Sequence, residues 1–161
     1  MKKVFVTTLC LLPLTGVAAE THCIPDEKVV FSCSVGKKTV SICSSPKFSV
    51  TDGYLQYRFG VPGKVEMTFP EAKIHPKGKF EVNRMTPTMD DGSRADLIEL
   101  TFKNGDYGYL ISSLATSKSS DVSLVVSKAD KTVATLKCQG KTVIKSDLSF
   151  FDVLTEFGID Q

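Results

Sequence analysis

The chain contains no tryptophan, and histidine appears only at positions 22 and 75. With so few side chains that exchange protons near neutral pH, and with no Gly-x-Ser-x-Gly turn, a serine hydrolase would lack both its nucleophile elbow and its base. There is no phosphate-cradling glycine loop. No Cys-x-x-Cys pair occurs, and His22 has no suitably spaced partner beside Cys23, which argues against zinc. Asp90-Asp91-Gly92 lacks the alternating oxygen ligands of a calcium loop, so no metal and no cofactor is expected. Excess charge is missing too. There are 20 Lys and Arg against 18 Asp and Glu, and Lys2 and Lys3 account for the difference. The remaining basic residues are dispersed among acids and form no stripe for a phosphate backbone, which excludes nucleic acid as a partner.

Long apolar runs are absent beyond the first residues. A bilayer-spanning helix needs roughly 20 apolar residues, so no stable membrane insertion is expected. The one apolar run, Val4 to Val17, is broken by Pro13, follows Lys2 and Lys3, and ends in Val17-Ala18-Ala19. That is the grammar of a cleaved signal peptide over residues 1–19. Cys10 lies inside this run and lacks the small residue expected before a lipidated cysteine. Residues 20–161 are then a single domain exported to the periplasm or secreted. Four cysteines remain in it, Cys23, Cys33, Cys43 and Cys138, an even number that suits two disulfides in an oxidising compartment.

What is present is β structure. Lys28 to Cys43 reads as two runs of Val, Phe, Ile and Thr around Ser34-Val35-Gly36-Lys37, a first hairpin with a cysteine closing each run. If Val35-Gly36 forms the turn, Cys43 faces Lys28 and Cys33 stays near the turn, so these two should not pair. The geometry favours Cys23 with Cys43 and Cys33 with Cys138, with other pairings left open. Tyr54 to Phe59 and Lys64 to Phe69 form a second hairpin about Gly60-Val61-Pro62-Gly63. Pro70 to Asp91 is an irregular excursion, functional or mobile, in which only Lys79 to Arg84 has strand character. Ala95 to Phe102 and Tyr107 to Leu114 flank the turn dipeptide Asn104-Gly105. Val122 to Val126 and Thr132 to Cys138 form a last hairpin about Ala129-Asp130. Short strands at this spacing predict an all-β, antiparallel barrel or sandwich of about eight strands. Phe150, Val153, Leu154 and Phe157 recur at helical spacing, with Ser149 and Asp152 as a capping box and Gly158 at the C-cap. They predict one short C-terminal helix, its apolar face covering an open end of the fold or meeting a partner.

Glu66, Glu71, Glu99, Asp90, Asp91 and Asp96 offer carboxylates for a glycosidase pair, but solvent-facing strand positions explain most of them. His75, before Pro76 in the excursion, reads as a loop residue and not a placed base. The residue types of protein contact are found instead in Tyr54, Tyr57 and Arg58, whose ordinary alternative is cross-strand packing, and in the loop Asp90-Asp91-Gly92-Ser93-Arg94.

Phe31-Ser32-Cys33-Ser34-Val35-Gly36-Lys37 resembles the aromatic-x-Cys-x-x-Gly opening of the periplasmic and membrane-bound inhibitors of C-type lysozyme. Cys138 would match that family's late partner cysteine, and Gly92-Ser93-Arg94-Ala95 resembles its Ser-Gly-Ser-Gly-Ala-Arg loop. The family's tryptophan-containing Lys-Gly motif has no counterpart. The chain is also similar to small exported proteins of Gram-negative bacteria. The resemblance implies an eight-stranded antiparallel barrel that inserts loops into a lysozyme cleft against its catalytic carboxylates. The expected function is therefore non-enzymatic. The protein would bind and block a peptidoglycan- or envelope-degrading enzyme, as a lysozyme-type inhibitor or as an immunity protein. The contacts would be Asp90, Asp91, Ser93, Arg94, Tyr54, Tyr57 and Arg58. The alternatives are a small-ligand or lipid carrier and, behind it, an envelope hydrolase.

Overall fold

The computed structural model describes residues 21–144, with side chains through residue 139. The expected signal peptide at 1–19 and the expected helix at 149–158 lie outside the described residues. Ten strands follow one another: β1 Lys28–Val35, β2 Lys38–Ser44, β3 Leu55–Val61, β4 Lys64–Phe69, β5 Glu81–Met85, β6 Asp96–Asn104, β7 Tyr107–Ala115, β8 Ser120–Lys128, β9 Lys131–Lys137 and β10 Gln139–Ile144. They form two antiparallel five-stranded sheets, in the orders β10-β1-β2-β3-β4 and β5-β6-β7-β8-β9. The architecture is sandwich-like, and the two sheets do not close into the barrel that the resemblance implied. Eight strands are the four expected hairpins. The two additions are β5, drawn from the excursion, and β10, which returns from the second sheet to pair with β1.

Each sheet is built on period-two alternation. Phe31, Ile42, Tyr57 and Phe69 are register partners across β1 to β4 and form one inner row. The facing row Val82, Leu100, Ile111, Leu124 and Leu136 crosses the second sheet. The two rows meet in one apolar cluster. At one end the cluster is aromatic: Phe102 lies stacked between Phe69, at 4.6 Å, and its cross-strand partner Tyr109, at 4.7 Å. Such ring pairs add roughly 0.5 to 1.5 kcal/mol each beyond the area they bury.

The first hairpin turns at Gly36-Lys37, one residue later than expected, because Gly36 supplies the positive φ of 64° that the tight turn needs. A bulge between Val29 and Phe31 then shifts the register again, so Cys43 faces Val29 and not Lys28. The expected disulfides form nonetheless. Cys23 joins Cys43, and Cys33 joins Cys138 across 105 residues of sequence. The first bridge binds residues 21–27 to the outer face of β2 and β3. This explains why β2 is buried along nearly its whole length, on both faces.

Candidate functional site

That lead-in segment covers a polar network built around Glu27. The Glu27 carboxylate, 1% exposed, receives a two-pronged ion pair from Arg58, with Nη1 donating to Oε2 at 2.6 Å and Nη2 to Oε1 at 2.7 Å. The Tyr54 hydroxyl donates to Oε1 at 2.8 Å, the Ile24 N–H to Oε2 at 3.0 Å, and Lys73 Nζ stands 3.2 Å from Oε1. Burial alone would raise the carboxyl pKa, but these donors outweigh it and bring it down from 4.5 to about 2. Arg58 also donates to the His22 carbonyl and to Gln56 Oε1, and Gln56 Nε2 donates to the carbonyls of Pro70 and Glu71. The cluster is saturated. Its carboxylate is locked as an anion by five donor contacts, which is a structural role and leaves no proton to exchange.

Tyr57 and Arg58 are therefore buried, at 1% and 7% exposure, and present nothing to a partner. Tyr57 belongs to the inner row, where burial, with Tyr109 beside it, pushes its hydroxyl pKa far up. Tyr54 is half-buried against Glu27, with Lys73 Nζ lying 4.7 Å over its ring. The expected aromatic contact surface is packing, because the disulfide-bound lid covers the face that strand alternation alone would leave in solvent. Cys23, Glu27 and Cys43 come within 4.8 Å of one another, but both sulfurs are spent in the disulfide, so the donor set does not suit a metal.

The second group of expected contact residues is solvent-facing. Asp90, Asp91 and Arg94 are exposed and Ser93 is half-exposed. The loop carrying them is braced by its own backbone. Thr88 and Arg94 form a β-bridge, Ala95 N donates to the Pro87 carbonyl, Met89 N to the Ser93 carbonyl, and Gly92 N to the Met89 carbonyl. Gly92 adopts φ 79°, the left-handed turn position that favours glycine. Asp91 Oδ1 accepts from the Ser93 hydroxyl at 2.6 Å and from the Ser93 N–H at 3.0 Å, which holds the Asp91 carboxyl below its usual range. Lys118 Nζ stands 3.6 Å from Asp91 Oδ2 and brings the turn at residues 116–119 alongside. Between the two loops runs an open groove of about 350 Å³, lined by Met89, Asp90, Asp91, Ser93 and residues 116–119. No protein-family model matches the chain, and no curated protein or solved structure matches it. The chemistry of this end must be read from its own residues. It offers a hairpin tip bearing two carboxylates and one guanidinium, braced by its own backbone hydrogen bonds.

The other expected candidates are accounted for elsewhere. His22 Nε2 is 3.2 Å from the Gly60 carbonyl, and His75 stacks on Phe48. Glu66 pairs with Lys38 at 2.6 Å and Asp96 with Arg84 at 3.1 Å. Sequence reasoning missed the Glu27 network and the participation of residues 116–119. The first had a signal in Cys23, four residues before Glu27. The second had none, because the proximity of the loops depends on β6, β7 and β8 pairing in full register.

Proposed function

We propose that this chain is an exported, non-enzymatic binding protein of the periplasm that blocks an envelope-attacking enzyme, as a lysozyme-type inhibitor or as an immunity protein against a toxin. The observation that carries this reading is the braced loop at residues 88–94, projecting from a sandwich with one shared apolar core. Inhibition of this kind requires no catalytic group. Affinity would come from a rigid tip entering a cleft, with Arg94 making charge-assisted hydrogen bonds to the target's carboxylates. Two disulfides suit an oxidising compartment, and among the described residues no helix is long and apolar enough to cross a membrane. The apolar pocket between the sheets, lined by Phe31, Ile42, Leu100 and Ile111, holds only about 50 Å³ and disfavours a carrier that would hold its ligand there. The saturation of Glu27 disfavours a hydrolase built on that buried carboxylate.

The test is capture by the mature, disulfide-intact protein from envelope fractions and from a panel of lysozymes, amidases and lipases, followed by an activity assay on each captured enzyme. Stoichiometric capture with loss of the target's activity supports the reading. Turnover of peptidoglycan or lipid by the purified protein itself overturns it.

A further inference from the structure

At the far end of β6 from the braced loop, a cleft of about 500 Å³ opens on the second sheet. The register places Thr101, Leu110 and Val125 in one cross-strand row, with Lys103, Gly108 and Ser127 in the next. Phe69, Phe102 and Tyr109, whose rings pack in the core between the sheets, complete the lining together with Lys79 and Glu81. Its volume falls in the range of small-molecule sites, roughly 300 to 1,000 Å³, and an apolar lining with a few converging polar groups is their usual composition. Gly108 lies beneath the Ser127 side chain: a Cβ there would stand 2.7 Å from Ser127 Oγ.

The charge of the cleft selects the ligand. Lys79 and Lys103 line it against the single acid Glu81. Neither lysine has an ion-pair partner among the described residues, whereas Lys38, Lys73 and Lys118 each have one. Two uncommitted ammonium groups beside the aliphatic pair Leu110 and Val125 suit an anion attached to an apolar body. We propose that this cleft binds a small amphiphile with an apolar body and one anionic head, the head held by Lys79 and Lys103 and the body by Leu110 and Val125. The site is separate from the loop at residues 88–94. About eight residues of β6, ~25 Å at the usual strand rise of about 3.3 Å, lie between them.

The experiment is titration of ¹⁵N-labelled mature protein with sodium decanoate below its micelle concentration, followed by amide chemical shifts. Decanol, decyltrimethylammonium and dihexanoylphosphatidylglycerol are run in parallel. The expected result is saturable one-to-one binding, with shifts concentrated at Thr101, Lys103, Gly108, Leu110, Val125 and Ser127. Decanol should bind at least tenfold more weakly than decanoate, and the cationic detergent more weakly still. The Lys79→Glu, Lys103→Glu double variant changes two exposed side chains and should keep the wild-type thermal midpoint while losing at least tenfold in affinity. Tighter binding of decanoate or of the phosphatidylglycerol assigns the head as carboxylate or phosphate, and either supports the proposal. Absence of saturable shifts, binding that ignores the sign of the head group, or shifts centred away from these residues overturns it. Because the readout is local, the result is independent of whether an enzyme target is captured.

Discussion

Glu27 carries a full charge beneath a segment of chain that excludes water, and the donors that keep it charged make its contribution to stability depend on pH. Its folded pKa of about 2 lies below the ordinary 4.5. Its stabilisation is therefore complete above about pH 5 and is lost as the pH falls toward 2. The shift corresponds to about 3 kcal/mol, and leaving Arg58 buried without its anion costs a similar amount. Glu27→Gln should accordingly lower the free energy of unfolding by about 3 kcal/mol at pH 7. The difference from wild type should shrink to under about 1 kcal/mol near pH 2, as measured by urea unfolding across pH. A difference independent of pH would show that packing, and not charge, is what Glu27 contributes. The ion pair is hard to read in the sequence. Alternation puts Gln56 and Arg58 on the face opposite Tyr57, a pattern indistinguishable from an ordinary solvent face. What covers that face is a segment some 30 residues earlier, brought there by the Cys23–Cys43 bridge. The reading of Tyr57 and Arg58 as contacts fails for that reason, whereas Asp91 and Arg94 lie in solvent because a Gly-containing turn between paired strands has nowhere else to go.

Hairpins are the most legible elements, since each pairs neighbours in sequence and is bounded by its own turn residues. β10 is not legible, because its partner β1 lies about a hundred residues away and local pattern carries no long-range pairing. The turn between β8 and β9 shows the sequence working against its own geometry. Ala129 and Asp130 adopt φ of 45° and 61°, the left-handed region that Asn and Gly fill with least strain. Installing an Asn-Gly dipeptide at this turn, through Ala129→Asn and Asp130→Gly, should stabilise the protein by about 1 kcal/mol, seen as a higher urea midpoint at unchanged slope. An unchanged or lower midpoint would mean that the turn is relaxed by contacts of Ala129 or Asp130 that the new residues lose. The braced loop calls for the opposite outcome. Arg94→Ala and Asp91→Ala remove exposed groups and should leave stability within about 0.5 kcal/mol while weakening target capture. A large loss of stability in Arg94→Ala would assign that residue to the fold instead.

At the scale of the molecule, two open sheets are held together by a shared core and by one long-range tie. Cys33 sits in the core on β1, and Cys138 stands where the chain crosses from β9 to β10, so their bridge fixes the one crossing back from the second sheet to the first. Closing a loop of 105 residues removes unfolded-state entropy worth about 5 kcal/mol, against about 3 kcal/mol for the 20-residue loop of Cys23–Cys43. The Cys33→Ala, Cys138→Ala variant should therefore lose more stability than Cys23→Ala, Cys43→Ala in thermal unfolding. The reverse order would show that the lid over Glu27, and not the inter-sheet tie, dominates. The β class is foreseeable because alternation and turn chemistry are local, whereas the cysteine pairing is only favoured over its alternatives, since Cys33–Cys138 spans 105 residues. Sandwich against barrel is not foreseeable, since that depends on whether edge strands meet.

That the end of the molecule carrying residues 88–94 blocks an enzyme is the central claim, and a titration of enzymatic activity addresses it most directly. The captured envelope-degrading enzyme is assayed on its own substrate against rising amounts of mature wild-type protein and of the Asp91→Ala, Arg94→Ala variant. Activity that falls to near zero at about one equivalent of wild type, with at least a tenfold rightward shift for the variant, is the predicted result. Full activity in the presence of excess wild type, or equal inhibition by wild type and variant, would contradict it.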